Sequence, residues 1–300
     1  MSDRSTEDIL EIENVPGSGF FLAAYRARKP FVIRNFLYKN SDATQWNFEY
    51  LNKQLSGKIL PLKEFQANGD IICSSIAAEI YIEQVLQYEK QLKDGNQDLS
   101  RPAYCHDVPI FHLADSLIED VKHIEERLFP ELYQQEWWKY AQFFMSATGS
   151  ITPLHYDTLL THNVFFQAYG RKEFVLIEKK YSQYCYRKGW RWFQVDPNNV
   201  DWDKFPLFEK AKLQRVELNA GDLLYMPPGM LHHVTTLDAS LSFNVDFHTK
   251  SSVLRSFLST LDHMPKATFY YNWLVMMGLV AKLPSRWLFK FYKPYLNYVS

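Results

Sequence analysis

Apolar residues change rhythm along the chain. Between Gln142 and Phe247 they fall into short β-rich runs: Gln142–Ser146, Val164–Ala168, Glu173–Glu178, Arg215–Leu218, Leu223–Met226, His233–Thr236 and Leu241–Phe247. Turn residues separate them, among them Thr148-Gly149, Tyr169-Gly170 and Asn219-Ala220-Gly221-Asp222. Many short strands at this spacing predict a sandwich or barrel. Upstream, Pro30–Arg34 suits a strand, while Ala43–Leu55, Ser75–Lys93 and Leu113–Leu128 step apolar residues at three or four and predict helices. Gly95-Asn96 and Pro130 close the last two. After Lys250 the rhythm is again helical: Val253–Leu261, Ala267–Leu283 and Ser285–Tyr298, split by Pro265 and Pro284. The residues to about Ser18 read as a loosely held arm. The fold class is thus mainly β with flanking helices: an N-terminal helical and strand region (1–139), a β core (140–250) and a C-terminal helical region (251–300). Within the core, Tyr181–Leu213 is a long insertion rich in Trp and Tyr, a feature that is usually functional or carries its own helices.

Composition narrows the function. With 47% apolar and 22% charged residues in 300, the chain can bury a large core. A net charge of −1 argues against a whole-surface grip on nucleic acid. Cys73, Cys105 and Cys185 lie too far apart in sequence for a CxxC site or a disulfide framework. Met1–Glu13 is acidic, unlike a secretory signal, and the longest apolar stretch, Trp273–Ala281, is about half of what a spanning helix needs. A cytoplasmic location is the expectation. The segment from Ser251 to Ser300 carries six basic residues against one acidic and is crowded with aromatics. Two helices this apolar imply a partner surface.

The sharpest local feature is Thr152-Pro153-Leu154-His155-Tyr156-Asp157. Residues two apart on a strand share a face, so His155 and Asp157 can aim an imidazole and a carboxylate at one point. A third ligand is expected from another strand. The run Gly221-Asp222-Leu223-Leu224-Tyr225-Met226-Pro227-Pro228-Gly229-Met230-Leu231-His232-His233 offers it. Adjacent residues face opposite ways on an extended segment, so either His232 or His233 points inward. Two His and one carboxylate leave open positions on an octahedral ion, the arrangement of non-haem Fe(II) oxygenases.

These motifs resemble the JmjC-type, cupin-8 branch of 2-oxoglutarate dioxygenases, the group that contains the asparaginyl hydroxylase factor inhibiting HIF. Thr152–Asp157 meets its Thr-Pro-x-His-x-Asp pattern, and Gly221–His232 meets its Gly-Asp-x-Leu-(Tyr/Phe)-(Ile/Met)-Pro-x4-His pattern. More weakly, Pro30–Arg34 resembles the family's N-terminal strand and Tyr104–Pro109 its pre-barrel segment. The resemblance implies a double-stranded β-helix (jelly-roll, cupin) barrel, with Fe(II), 2-oxoglutarate and O2 as cofactors. It selects His232, with His155 and Asp157, as metal ligands. It assigns Lys172 to the distal carboxylate of 2-oxoglutarate, Thr152 to a supporting hydroxyl, and Asn163, nine residues before Lys172, to the metal-proximal end. Asp246 stands where relatives often have Asn; Asn244, on the same strand face, is the residue that could supply the amide. The remaining histidines, His106, His112, His123, His162, His248 and His263, have no ligand-like spacing and read as structural or surface residues.

The implied reaction is hydroxylation with succinate and CO2 as coproducts. The resemblance favours a protein or peptide side chain as substrate, with a tRNA base or small molecule as the alternative, and a non-catalytic metal-binding module as a third reading. Tyr184, Tyr186, Trp190, Trp192 and Phe193 could line a substrate cleft, stack on bases or simply pack the insertion onto the barrel. Relatives of this type dimerise through C-terminal helices, so a homodimer built on Ala267–Leu283 is expected first and a membrane-surface helix at Ser285–Tyr298 second.

Overall fold

A computed structural model describes residues 9–13, 19–66, 70–96 and 99–297. Most of the arm before Ser18, and Tyr298 at the end of the last expected helix, lie outside the described residues. The N-terminal region contains β1 (Leu10–Ile12), α1 (Gly19–Ala27), β2 (Phe31–Ile33), α2 (Phe36–Asn40), α3 (Phe48–Gln54), β3 (Ile59–Phe65), β4 (Ile71–Ala77) and α4 (Ala78–Lys93). It continues with β5 (Cys105–Val108), α5 (Ile110–Leu113) and α6 (Ile118–Val121). The core follows as β6 (Ala141–Ser146), β7 (Ile151–His155), β8 (His162–Tyr169), β9 (Lys172–Ile177), β10 (Arg187–Lys188) and β11 (Trp192–Phe193). It closes with β12 (Gln214–Leu218), β13 (Leu223–Met226), β14 (Leu231–Thr236) and β15 (Ser240–Phe247). The chain then forms α7 (Lys250–Ser256), α8 (Lys266–Leu279) and α9 (Ser285–Tyr292).

Two sheets face each other in a jelly-roll arrangement: β1-β2-β13-β8-β15-β6-β5 and β10-β11-β7-β14-β9-β12. The pleat explains why the central strands are buried on both sides. On β15, Leu241, Phe243, Val245 and Phe247 pack toward the helices, together with Tyr25, Trp46, Tyr81 and Val253. The alternate residues Ser242, Asn244 and Asp246 are buried as well, and Asn244 and Asp246 line the space between the sheets. Apolar residues from both sheets fill the rest of that layer: Phe144, Phe165 and Leu224 meet Phe174, Leu176 and Val234. The insertion covers the outer face of the smaller sheet, packing Tyr186, Trp190 and Phe193 with Tyr156 and Leu231.

The Gly221-Asp222 turn is a fastening point. Asp222 accepts from Arg34 Nη1 (2.6 Å), Asn35 N (3.0 Å) and Asn219 N (3.0 Å), which ties β2 to the start of β13.

Several helix boundaries differ from expectation. Ser75–Lys93 is not one helix: residues to Ala77 pair with β3, Ile76 opposite Leu60, and the helix begins at Ala78. An isoleucine at Ile76 satisfies either period, and pairing with β3 decides between them. Ala43–Leu55 is split. Ser41 caps a 3-10 turn over Asp42–Gln45, then Asn47 accepts from Tyr50 N (2.8 Å) and starts α3. The break lets Gln45, Trp46 and Tyr50 all donate to the buried Asp120 carboxylate. Leu113–Leu128 is likewise broken into short turns around Asp120. Val253–Leu261 becomes α7, held by a Thr249–Ser252 capping box, plus a 3-10 turn. Ala267–Leu283 shortens to end at Leu279, where Gly278 gives Leu132 and Leu288 close approach; a Cβ there would lie 2.7–2.8 Å from their methyls.

Candidate metal centre and active site

The core strands deliver three potential ligands to one end of the space between the sheets. β7 and β14 run antiparallel, with His155 opposite His232. The next pair is Thr152 opposite Val234, so β7 spends three residues where β14 spends two. That bulge, at Pro153 and Leu154, lets Thr152 and His155 both face inward. It suits Pro153, which has no N–H to offer the ladder. β7 ends at His155, so Asp157 lies in the following turn and not on a strand as expected. The turn still brings it home: Asp157 Oδ1 is 3.7 Å from His232 Nε2, and the two imidazoles are 4.1 Å apart between ring centroids. One ligand atom from each of His155, Asp157 and His232 lies within 4.8 Å of the others.

Both rings are oriented from behind. His155 Nδ1 donates to the Pro153 carbonyl (2.8 Å) and His232 Nδ1 to the Met230 carbonyl (3.3 Å). A carbonyl only accepts, so each Nδ1 carries a proton, which leaves each Nε2 as the atom that can ligate. Burial, together with the positive field of His232 and Arg191, holds His155 well below the ordinary imidazole range, which keeps it neutral. Asn163 Nδ2 donates to Asp157 Oδ2 (3.2 Å) and steadies the carboxylate. His233 faces the other way, with Nε2 3.5 Å from Asp196 Oδ1.

Lys172 begins β9 directly after the Gly170 turn. Gly170 sits at φ +69°, and a Cβ there would fall 2.1 Å from the Ala239 carbonyl oxygen, so this turn requires glycine. Lys172 is fully buried. Its ammonium donates to Tyr104 Oη (2.8 Å) and Ser242 Oγ (2.9 Å) and lies over the rings of Tyr104, Phe144 and Phe165. Burial pulls its pKa down to about 7. Among the described residues, no carboxylate lies within ion-pair distance of it.

A cavity of about 60 Å³ joins the Lys172 end to the His155, Asp157 and His232 end. Asn163, Asn244 and Asp246 all line it, so Asn244 and Asp246 face the same space. Their side chains are 3.5 Å apart, Asn244 Nδ2 to Asp246 Oδ1. Burial and the neighbouring Asp157 and Asp107 push the Asp246 carboxyl well above the usual carboxylate range. A protonated carboxyl can donate a hydrogen bond, as the amide of an Asn would. Thr152 also lines the cavity, with its hydroxyl 3.2 Å from His106 Nε2.

Several wall residues were given no site role in the sequence. His106, read there as structural or surface, is buried in the cavity wall. Beside it Asp107 accepts from Lys63 Nζ (2.7 Å) and lies 2.9 Å from His106 Nδ1. Tyr104, Arg191 and Tyr295 complete the wall. The available signal was the pair His106-Asp107 on a short strand between buried Cys105 and Val108. The insertion's aromatics are mainly packing: Tyr186, Trp190 and Phe193 join the outer cluster, and Trp192 lies against His155 with centroids 4.9 Å apart.

Comparison with known proteins agrees with this geometry. Residues 18–252 match the family described as Cupin-like domain. The human tRNA wybutosine-synthesizing protein 5 is 24% identical over 246 residues, covering 78% of this chain and 76% of the relative. The Arabidopsis thaliana Lysine-specific demethylase JMJ30 is 26% identical over 232 residues, covering 75% of this chain and 51% of the relative. A shorter match, 38% over 104 residues, joins 33% of this chain to 23% of the Dictyostelium discoideum JmjC domain-containing protein D. With its matched region running from α1 into α7, the chain belongs to the cupin-like, JmjC-type family.

Proposed function

We propose that the chain is an Fe(II)- and 2-oxoglutarate-dependent oxygenase that hydroxylates its substrate, with succinate and CO2 as coproducts. The observation that carries this reading is the pairing of two features in one cavity. At one end stand two imidazoles and a carboxylate, a donor set suited to a divalent iron with positions left open. At the other stands a buried ammonium with hydroxyl neighbours, a cradle for a carboxylate.

In this reading His155, Asp157 and His232 hold the iron, and Asn163 fixes the Asp157 carboxylate. Lys172, with Tyr104 and Ser242, holds the distal carboxylate of 2-oxoglutarate. Asn244, Asp246 and Thr152 supply hydrogen bonds along its length. When bound, iron and 2-oxoglutarate supply the oxidising power for O2 to attack a C–H bond. The protein orients both and keeps water out with Phe144, Phe165 and Phe174.

A protein or peptide side chain is the first substrate reading. A tRNA base is the second, favoured by the match over most of both chains to a tRNA wybutosine-synthesizing protein. Anaerobic titration with Fe(II) and 2-oxoglutarate tests the centre: a weak visible band is expected, and a chain that binds neither refutes the oxygenase. Mass spectrometry of a peptide library and of total tRNA, searching for a gain of about 16 Da, separates the substrates; the mass is one inserted oxygen.

The C-terminal helices belong to the same proposal as a homodimer surface. Phe269, Trp273, Trp287 and Phe291 stay exposed on α8 and α9. No helix of the described residues is long and apolar enough to cross a membrane. A cytoplasmic location is part of the proposal, supported by the widely spaced free cysteines.

A further inference from the structure

The hairpin of β3 and β4 widens the larger sheet. Lys63 N donates to the Tyr104 carbonyl (2.7 Å) and Tyr104 N to the Lys63 carbonyl (2.9 Å), so β3 lies beside the start of β5 and β4 becomes the outer edge. Main-chain groups alternate sides along a strand. With Lys63 turned to Tyr104, Leu60, Leu62 and Glu64 turn to β4 and meet Ile76, Ser74 and Ile72. Ile71, Cys73 and Ser75 therefore point their N–H and C=O groups away from β3, and among the described residues no further strand pairs with them. The edge is open: Ile72, Cys73, Ser74 and Ser75 are all exposed. Exposed edges normally carry charge, proline or a bulge that blocks further pairing. The other open edges among the described residues follow that rule. β12 carries Arg215 and Glu217, β10 is Arg187-Lys188, and β1 carries Glu11. β4 reads Ile-Ile-Cys-Ser-Ser-Ile-Ala, with no charge, no proline and an unbroken register.

We propose that β4 is the docking edge for an extended segment of a protein substrate, which adds to it as a further strand and passes its continuation into the metal cavity. This rests on the oxygenase reading with a protein substrate. The chemistry of the edge selects the occupant. Alternating donors and acceptors at strand spacing match another polypeptide backbone. An RNA strand offers phosphates instead, and β4 has no cation to meet them. The small side chains of Cys73, Ser74 and Ser75 leave room for those of the incoming chain. The edge also leads to the centre. Directly paired residues share a face, so Ile71, Cys73 and Ser75 lie on the face of Lys63 and Phe65. The Phe65 ring is 5.3 Å from His106 and 5.6 Å from Trp192 between centroids, and Trp192 is 4.9 Å from His155. A peptide that leaves β4 past Ile71 crosses two strand spacings and these ring contacts to reach His155. That is roughly 20 Å, the span of about six extended residues. The residue acted on therefore lies about six positions outside the paired stretch.

The probe is a displayed library of random peptides long enough to fill β4 and reach His155. It is selected on the full chain with Mn(II) and N-oxalylglycine in place of iron and 2-oxoglutarate, and again without them. N-methylation along a selected peptide should weaken binding about three- to tenfold at every second amide and little between, because only alternate amides face β4. Hydrogen exchange should slow at Cys73 and Ser75. Ser75→Pro, which removes an outward N–H, should weaken binding by a similar factor while N-oxalylglycine still binds. If that variant fails to fold, the methylation series on the native chain decides alone. Mn(II) should broaden the peptide's NMR signals most about six residues beyond the paired stretch. A library without binders, a methylation series without alternation, exchange protection that avoids β4, or broadening confined to the paired stretch overturns the proposal. So does total tRNA that protects Cys73 and Ser75 and displaces the peptides. Self-association that Ser75→Pro abolishes, with no peptide bound, gives the edge to a second copy and overturns it as well. A native chain that binds neither Mn(II) nor N-oxalylglycine, yet selects peptides with the alternating pattern, brings down the oxygenase reading and upholds the docking edge.

Discussion

Replacing Lys172 by Met should move two measurements in opposite directions. The ammonium is fully buried, and its pKa of about 7 compares with 10.5 in water. At pH 7 the folded, ligand-free protein therefore bears a desolvation cost on the order of 4 kcal/mol. Methionine fills similar volume without it. Tyr104 and Ser242 each lose a hydrogen-bond partner, which returns about 2 kcal/mol. The net gain is on the order of 2 kcal/mol, or a melting temperature higher by roughly 5 °C. Cosubstrate binding should suffer: losing a charge-assisted contact costs about 1.5–3 kcal/mol, one to two decades in Kd. The sign with pH follows. Between about pH 7 and 10.5 the unfolded state keeps the lysine proton that the folded state has released. Stability of the ligand-free native chain therefore rises with pH across that window, a rise the methionine variant lacks. Binding 2-oxoglutarate above pH 7 should take up a proton, visible by calorimetry in buffers of different ionisation enthalpy. Thermal shift without and with the cosubstrate is the assay. A variant that melts lower without ligand, or that binds 2-oxoglutarate as well as the native chain does, refutes the reasoning.

His155→Ala or Asp157→Ala should abolish succinate formation and leave the circular dichroism spectrum unchanged, because the sheets bury their apolar residues without the metal; undiminished turnover in either would sink the ligand assignment. Gly170→Ala places a side chain at positive φ against the Ala239 carbonyl and should destabilise by about 1–3 kcal/mol in urea unfolding, with weaker 2-oxoglutarate binding because Lys172 is two residues on. Sedimentation of the full chain should show a dimer at micromolar concentration that a truncation near Lys266 reduces to monomer; a monomeric full chain would remove the interface, and liposome binding by that monomer would favour the membrane-surface helix. His248 is buried between Ser252 and Asn272 with its pKa held down to about 4 by burial. The unfolded state binds its proton first as pH falls, so stability should drop between about pH 6.5 and 4, by roughly 3 kcal/mol from this residue. His248→Gln should flatten that drop in urea titrations, and an unaltered pH profile would contradict it.

What the sequence made legible depended on whether a residue's partners lay on its own strand or came from elsewhere. His155, Asp157 and His232 could be read because short motifs carry them, and the fold has only to bring two motifs together. Even there the reason was partly different. The strand ends at His155, and a bulge at Pro153 and Leu154 sets the inward face, so a simple two-residue alternation does not describe the motif. The central strands showed apolar runs, yet their polar members Ser242, Asn244 and Asp246 alternate with Leu241, Phe243 and Val245. That period separates a helix-covered face from a cavity-facing one. Helix boundaries failed where side chains compete with helical bonding: Ser41 and Asn47 cap separate turns so that three donors can meet Asp120, a partner about 70 residues away in sequence. Arg191 and Tyr295 were illegible for a related reason. Neither sits in a motif, and each enters the cavity through an edge that only the folded chain supplies, β11 on β7 and the 3-10 turn after α9. In this architecture the inner strands carry His155, His232 and Lys172, whereas segments that arrive from outside the sheets finish the wall.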